Sequence, residues 1–188
     1  MLSTPTTAPT WSRLQTCEAG DFVAALAGIA EHAPWVAQAV AGQRPFRGLE
    51  ALHGAMVAAV RQAPAERLIA LLNGHPELAG REAIAGEMTP ESSGEQGRLG
   101  LTALDAGRLD RLNRLNAAYK ARFGFPYIVA LRRHASLDSV FADLDLRLQR
   151  DTPAEIEAAL AQVADIMRGR LERLLAPTES LSSTRSSP

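Results

Sequence analysis

The 188 residues, 46% of them apolar, suffice for one domain with a substantial core and no disulfide or metal staple. The 20 basic and 21 acidic residues are spread along the chain and leave a formal net charge of -1, which argues against a nucleic-acid or membrane-surface partner. Counting gives 34 alanines beside only 5% aromatic residues, a composition of helix formers that points to an all-α fold.

Residues 1–18 read as a flexible N-terminal segment without the basic and apolar regions of a secretory leader. Cys17 is the sole cysteine, so no intrachain disulfide is available and a reducing, cytoplasmic compartment is expected. Asp21 is placed to cap a helix carrying Phe22, Leu26 and Ile29, and Pro34 ends it while opening a second at Trp35. Leu49, Leu52, Met56 and Val60 carry a third helix, and Leu68, Leu71 and Leu72 a fourth after Pro64. Asn73-Gly74 then predicts a stop through a left-handed backbone, which leaves His75-Pro76 at a junction.

Residues 77–100 are the least periodic and are expected to be loop-rich before entering a helix. Leu104, Leu109, Leu112, Leu115 and Tyr119 form a long stripe ending near Gly124. The run Phe125-Pro126-Tyr127-Ile128-Val129-Ala130-Leu131 fits either a buried extended segment or the first turns of a helix. Ser136 is placed to cap a helix through Leu137, Phe141, Leu144 and Leu148, and Thr152-Pro153-Ala154-Glu155 reads as a capping box opening the last one. In that helix Ile156, Leu160, Val163, Met167, Leu171 and Leu174 mark the buried face, with Arg170 roughly 50° from its centre and Arg168 and Arg173 about twice as far out. Together these predict about eight helices in one bundle-like domain, 19–176, followed by a disordered polar tail, 177–188.

Signatures of a zinc protease, a redox dithiol, a phosphate loop or a serine-hydrolase elbow are absent. Of the four histidines, His32, His53 and His134 are read as structural. His75 follows a helix stop and precedes a proline, a setting that would fix an imidazole at a cavity edge with one nitrogen free for proton transfer, although spacing alone favours a structural histidine here too. Ser92-Ser93-Gly94-Glu95 fits a capping box, in which serine and glutamate serve only backbone amides. Arg170 suits either a core ion pair or bidentate recognition of an anionic ligand. Phe123, Phe125 and Tyr127 read as core packing rather than ligand stacking.

Five segments in order resemble the 2-oxo-4-hydroxy-4-carboxy-5-ureidoimidazoline (OHCU) decarboxylase family over about residues 22–175. They are Glu31-His32-Ala33-Pro34-Trp35-Val36, His75-Pro76-Glu77-Leu78-Ala79-Gly80, Ser92-x-x-Glu95-Gln96, Leu115-Asn116-x-x-Tyr119 with Phe123-Gly124-Phe125-Pro126-Tyr127-Ile128, and Arg170-Leu171. The resemblance implies a compact all-helical enzyme, commonly a homodimer, that works without metal or organic cofactor. It also implies the step that completes the conversion of urate to (S)-allantoin in purine breakdown. By the same resemblance His75, Glu95 and Arg170 are the catalytic group, while Pro76, Ser92, Ser93, Gly94, Gln96 and the stretch Tyr127, Ile128, Val129, Ala130 and Leu131 bind substrate.

The chain departs from the family pattern at Ala33 (usually serine), Tyr127 (usually phenylalanine) and Arg150 (near an expected asparagine). Two alternatives stay open: a non-catalytic helical binding domain, in which His75, Glu95 and Arg170 would not converge, and a lyase or hydrolase acting on another small ureido acid.

Overall fold

The structure, a computed structural model, describes residues 10–176 apart from 81, 82, 84 and 102. Nine α-helices run through the described residues, with no strand. They are α1 (Trp11–Thr16), α2 (Ala19–Ala25), α3 (Pro34–Val40), α4 (Leu49–Arg61), α5 (Ala65–Asn73), α6 (Pro90–Arg98), α7 (Ala106–Phe123), α8 (Leu137–Arg147) and α9 (Thr152–Leu174). Single 3-10 turns stand at Ala41–Gln43 and Leu131–Arg133. α3 packs on α2 and α4, α4 on α9, and α7 on α8.

The apolar stripes meet in one core: Phe22, Leu26 and Ile29 face Val36, Leu52, Met56 and Val60, and Leu160, Val163, Met167 and Leu171 bring in α9. Burial of these side chains, roughly 1.5–3 kcal/mol each, is the main force holding short helices that would not persist alone.

Several local expectations are corrected. Trp11–Thr16, placed in a flexible segment, is a helix capped by Thr10 and seated through buried Leu14, while Arg44 donates to the Leu14 and Cys17 carbonyls. Residues 1–9 and the tail 177–188 lie outside the described residues. Asp21 stands inside the first turn of α2, where a carboxylate meets the positive end of the helix, and makes no cap bond. α5 stops at Asn73, yet Gly74 keeps φ −73°. A Cβ there would lie 3.4 Å from the Ala70 and Leu71 carbonyl oxygens and 3.5 Å from that of Glu31, ordinary contact distances, so neither backbone angle nor space demands glycine at this position. The left-handed stop occurs at Gly124, φ +81°, after α7.

Both expected capping boxes shift by a residue or more. Thr89 caps α6 with Pro90 in the first turn, and Asp151 caps α9 with Pro153 in the first turn. Ser92 and Glu155 are thereby carried inside their helices and turned toward the core, where both are buried. Residues 125–130 form no helix, which resolves the ambiguous run as buried extended chain leading into the 3-10 turn at Leu131.

Candidate active site

The imidazole of His75 is fixed two residues beyond the end of α5. Its Nδ1 lies 2.9 Å from the Leu71 carbonyl oxygen. A carbonyl only accepts, so Nδ1 carries the proton and Nε2 is left as the basic nitrogen. Burial pushes the His75 pKa below its ordinary value and Arg170 adds to that effect, against the opposing pull of the Leu71 bond, Glu31 and Glu95. The ring is therefore neutral at neutral pH.

Arg170 projects inward from α9, only 3% exposed, while Arg168 turns outward to Glu50 and Glu172. All five guanidinium N–H groups of Arg170 are used. Nε donates to Glu95 Oε1 (3.1 Å), Nη1 to Glu31 Oε2 (2.6 Å) and the Gly28 carbonyl (3.0 Å), and Nη2 to Glu95 Oε2 (2.9 Å) and Ser92 Oγ (3.0 Å). Arg173 donates to Glu95 Oε1 at 2.6 Å from the exposed side. Arg170 is thus the hub of a buried ion-pair network, which Ser92 and Glu95 join through their side chains in place of helix capping.

Glu31 is the functional-looking residue that local pattern missed. Its side chain is wholly buried and accepts from Arg170, from Thr89 Oγ1 (2.7 Å) and from Ser92 Oγ (2.9 Å). Burial raises its pKa, but the Arg170 charge and these donated bonds outweigh that and hold the carboxyl below its ordinary value. The one signal was its position at the head of the Glu31-to-Val36 segment.

Gln96 braces the chain after Pro76: its Oε1 accepts from Ala79 N (2.8 Å) and its Nε2 donates to the Glu77 carbonyl (3.3 Å). Across the site, Arg147 donates to the Ile128 carbonyl (2.7 Å), and Gln162 Oε1 accepts from Ala130 N (2.8 Å), which fixes the extended segment. Tyr127 packs beneath Arg147 and edge-on to Tyr119. Its hydroxyl donates to Asp143 at 2.5 Å, so the departure from phenylalanine places a hydroxyl on a partner of its own. Burial first, then that bond, raises the Tyr127 pKa, and the phenol stays neutral.

These elements enclose a cavity of ≈ 30 Å³, room for about two or three water molecules. His75, Pro76, Ser92, Glu95, Gln96, Tyr127, Ile128, Val129, Leu131 and Arg170 line it, together with Leu78 and Ile166. A second cavity of ≈ 240 Å³ shares His75 and Pro76 among its lining residues and is also lined by Glu31, His32, Asn73 and Glu87. Three expected binding residues are not among the lining residues. Ser93 and Gly94 are exposed, because one helical turn between Ser92 and Gln96 points them outward, and Ala130 is buried with its N–H spent on Gln162.

The remaining histidines are placed structurally: His53 Nε2 is 2.8 Å from the Ala164 oxygen and His134 Nδ1 is 3.1 Å from Ser139 Oγ. His32 is exposed, with its ring 3.9 Å from Glu31. No group of three potential metal-ligating side chains is gathered among the described residues.

The profile of the OHCU decarboxylase family matches residues 15–172. A mouse (Mus musculus) protein named 2-oxo-4-hydroxy-4-carboxy-5-ureidoimidazoline decarboxylase is 39% identical over 163 residues, 87% of this chain and 91% of that protein. A Haloferax volcanii protein of the same name is 36% identical over 150 residues, 80% of this chain and 86% of its own length. Among solved structures, a crystal structure of (S)-allantoin synthase superimposes with a TM-score of 0.71 at 29% identity, covering 89% of this chain and 54% of that one.

Proposed function

The chain belongs to the OHCU decarboxylase family, and from that premise we propose that it converts OHCU to (S)-allantoin and carbon dioxide, the last step from urate to allantoin. The observation that carries this reading is the meeting of His75, Glu95 and Arg170, from α5's end, α6 and α9, around one cavity. A non-catalytic relative of the fold has no need of that convergence.

The substrate's own structure supplies the electron sink. C4 carries the hydroxyl and the carboxylate, and C5, bearing the ureido group, is double-bonded to a ring nitrogen. When the C4–carboxylate bond breaks, its electron pair forms a C4–C5 double bond, and the C5–N pair moves to nitrogen, which takes a proton. Protonation of C5 with loss of the C4 hydroxyl proton then gives allantoin, with one proton taken up overall. No separate electron sink is needed for this step.

In this reading the neutral Nε2 of His75 takes the hydroxyl proton and returns a proton to C5 from one face, which sets the S configuration. Arg170 orients the carboxylate, and Glu95 accepts from ureido N–H groups. Pro76, Gln96, Tyr127, Ile128, Val129 and Leu131 shape the pocket, with Ser92 held beside Arg170. Ser93, Gly94 and Ala130 contribute through their backbone positions only.

We also propose a homodimer in the cytoplasm, supported by the family membership and by the single cysteine. No helix of the described residues is long and apolar enough to cross a membrane. Light scattering of the purified chain, with one mass at twice 20.1 kDa expected, tests the dimer.

The activity is tested by circular dichroism on urate supplied with urate oxidase and hydroxyisourate hydrolase. Adding this protein is expected to speed the appearance of (S)-allantoin and raise its enantiomeric excess. No change in either contradicts the reading.

A further inference from the structure

The geometry of Arg170 leaves it no N–H for a ligand, so a carboxylate reaches it only by exchange. We propose that Glu95 occupies the carboxylate-binding fork of Arg170, that the substrate's carboxylate displaces it, and that Arg173 is the positioning residue that receives it. This rests on the decarboxylase reading for the identity of the substrate.

Two carboxylates share Arg170, and they are held differently. Glu31 has no exposed side-chain surface and takes donors from three different side chains, Arg170, Thr89 and Ser92. Glu95 is 20% exposed and is held by arginines alone. Its two oxygens accept side by side from Nε and Nη2 of Arg170, at 3.1 and 2.9 Å, which is the fork-to-fork pairing a bound carboxylate adopts. Displacing Glu31 breaks a buried network; displacing Glu95 moves a partly exposed side chain toward a partner it already has. That partner, Arg173, is half exposed and free to follow.

The cavity points the same way. Its ≈ 30 Å³ is far below the roughly 300–1,000 Å³ of a formed ligand site, and Glu95 is one of its walls. Withdrawal of Glu95 toward Arg173 opens that wall and uncovers two charged donors in one movement. It also turns Glu95 into an acceptor for the ureido N–H groups. Exchange confers selectivity: a ligand without an anionic group to match the fork cannot replace Glu95 on it. Once carbon dioxide has left, the neutral product has no claim on Arg170, Glu95 returns, and the cavity closes behind the product.

The test uses two probes that lack a ureido group, imidazole-4-carboxylate and its neutral analogue imidazole-4-carboxamide, titrated into the full-length protein by NMR. Glu95→Gln removes the competing charge and is expected to tighten the carboxylate by about fivefold or more while changing the amide by less than about twofold. Arg173→Gln is expected to act oppositely, weakening the carboxylate alone and raising KM for the carboxylated substrate more than it lowers kcat. Weaker carboxylate binding by Glu95→Gln, equal effects on both probes, or no carboxylate-dependent binding in any form overturns the exchange. A purely structural role for Arg173 would move both probes together. Failure of the wild-type protein to form (S)-allantoin defeats the decarboxylase reading and leaves these probe results to stand or fall separately.

Discussion

Glu31 and Arg170, 139 positions apart, meet at 2.6 Å with both side chains buried. This pair ties the segment after α2 to α9 and fixes the orientation of the guanidinium that faces His75's cavity. Glu31→Gln keeps the shape and removes the charge, leaving Arg170 short of one counter-ion. A loss of roughly 1.5–3 kcal/mol is expected in urea unfolding, because a charge-assisted bond in a buried setting is removed. An unchanged midpoint would mean that Glu95 alone suffices to balance Arg170.

The two depressed pKa values make stability fall on the acid side. For His75, burial lowers the folded value, so the unfolded chain binds more protons once pH drops below about 6.5, and stability declines from there. For Glu31, burial is outweighed by Arg170 and the donated bonds, so its contribution is present above about 4.5 and is lost as pH falls through the lower folded value. Unfolding midpoints measured from pH 8 to 4 are expected to fall in wild type, with the fall between 6.5 and 5 reduced in His75→Asn. The same neutral His75 predicts that kcat/KM holds to lower pH than an ordinary histidine base allows.

Arg147 and Glu155 are the second buried ion pair, 2.7 Å from Nε to Oε1, and Tyr119 also donates to Glu155. Removing one partner strands the other charge in the core, so Glu155→Ala is expected to lose about 3–5 kcal/mol. Because Arg147 also holds the Ile128 carbonyl, milder Arg147→Lys is expected to raise KM while the protein still folds. Normal stability in Glu155→Ala would show that the network carries no net energy.

The helices and the core were legible because period-3.6 apolar stripes depend only on local spacing; Leu52, Met56 and Val60 on α4 and Leu160, Val163 and Met167 on α9 all face inward. The orientation of Arg170 followed from the same arithmetic. Ser92, Glu95 and Glu155 were misread because a serine or threonine three residues before a glutamate satisfies the capping pattern. The caps are instead Thr89 and Asp151, each accepting from the backbone N–H three residues on. Glu31 was illegible for a different reason: its partners Thr89, Ser92 and Arg170 lie 58 to 139 positions away, and no local pattern records them. The extended run 125–130 was ambiguous since its apolar residues are buried on every side, which erases periodicity.

We propose that Nε2 of His75 moves the proton that decides both rate and configuration. The most direct measurement is circular dichroism of allantoin formed from freshly generated OHCU by His75→Asn, in a preparation with wild-type helical content. A fall in kcat/KM of about 10²-fold or more and loss of the excess of (S)-allantoin are expected. A well-folded His75→Asn that still forms (S)-allantoin at close to the wild-type rate would contradict this role for His75.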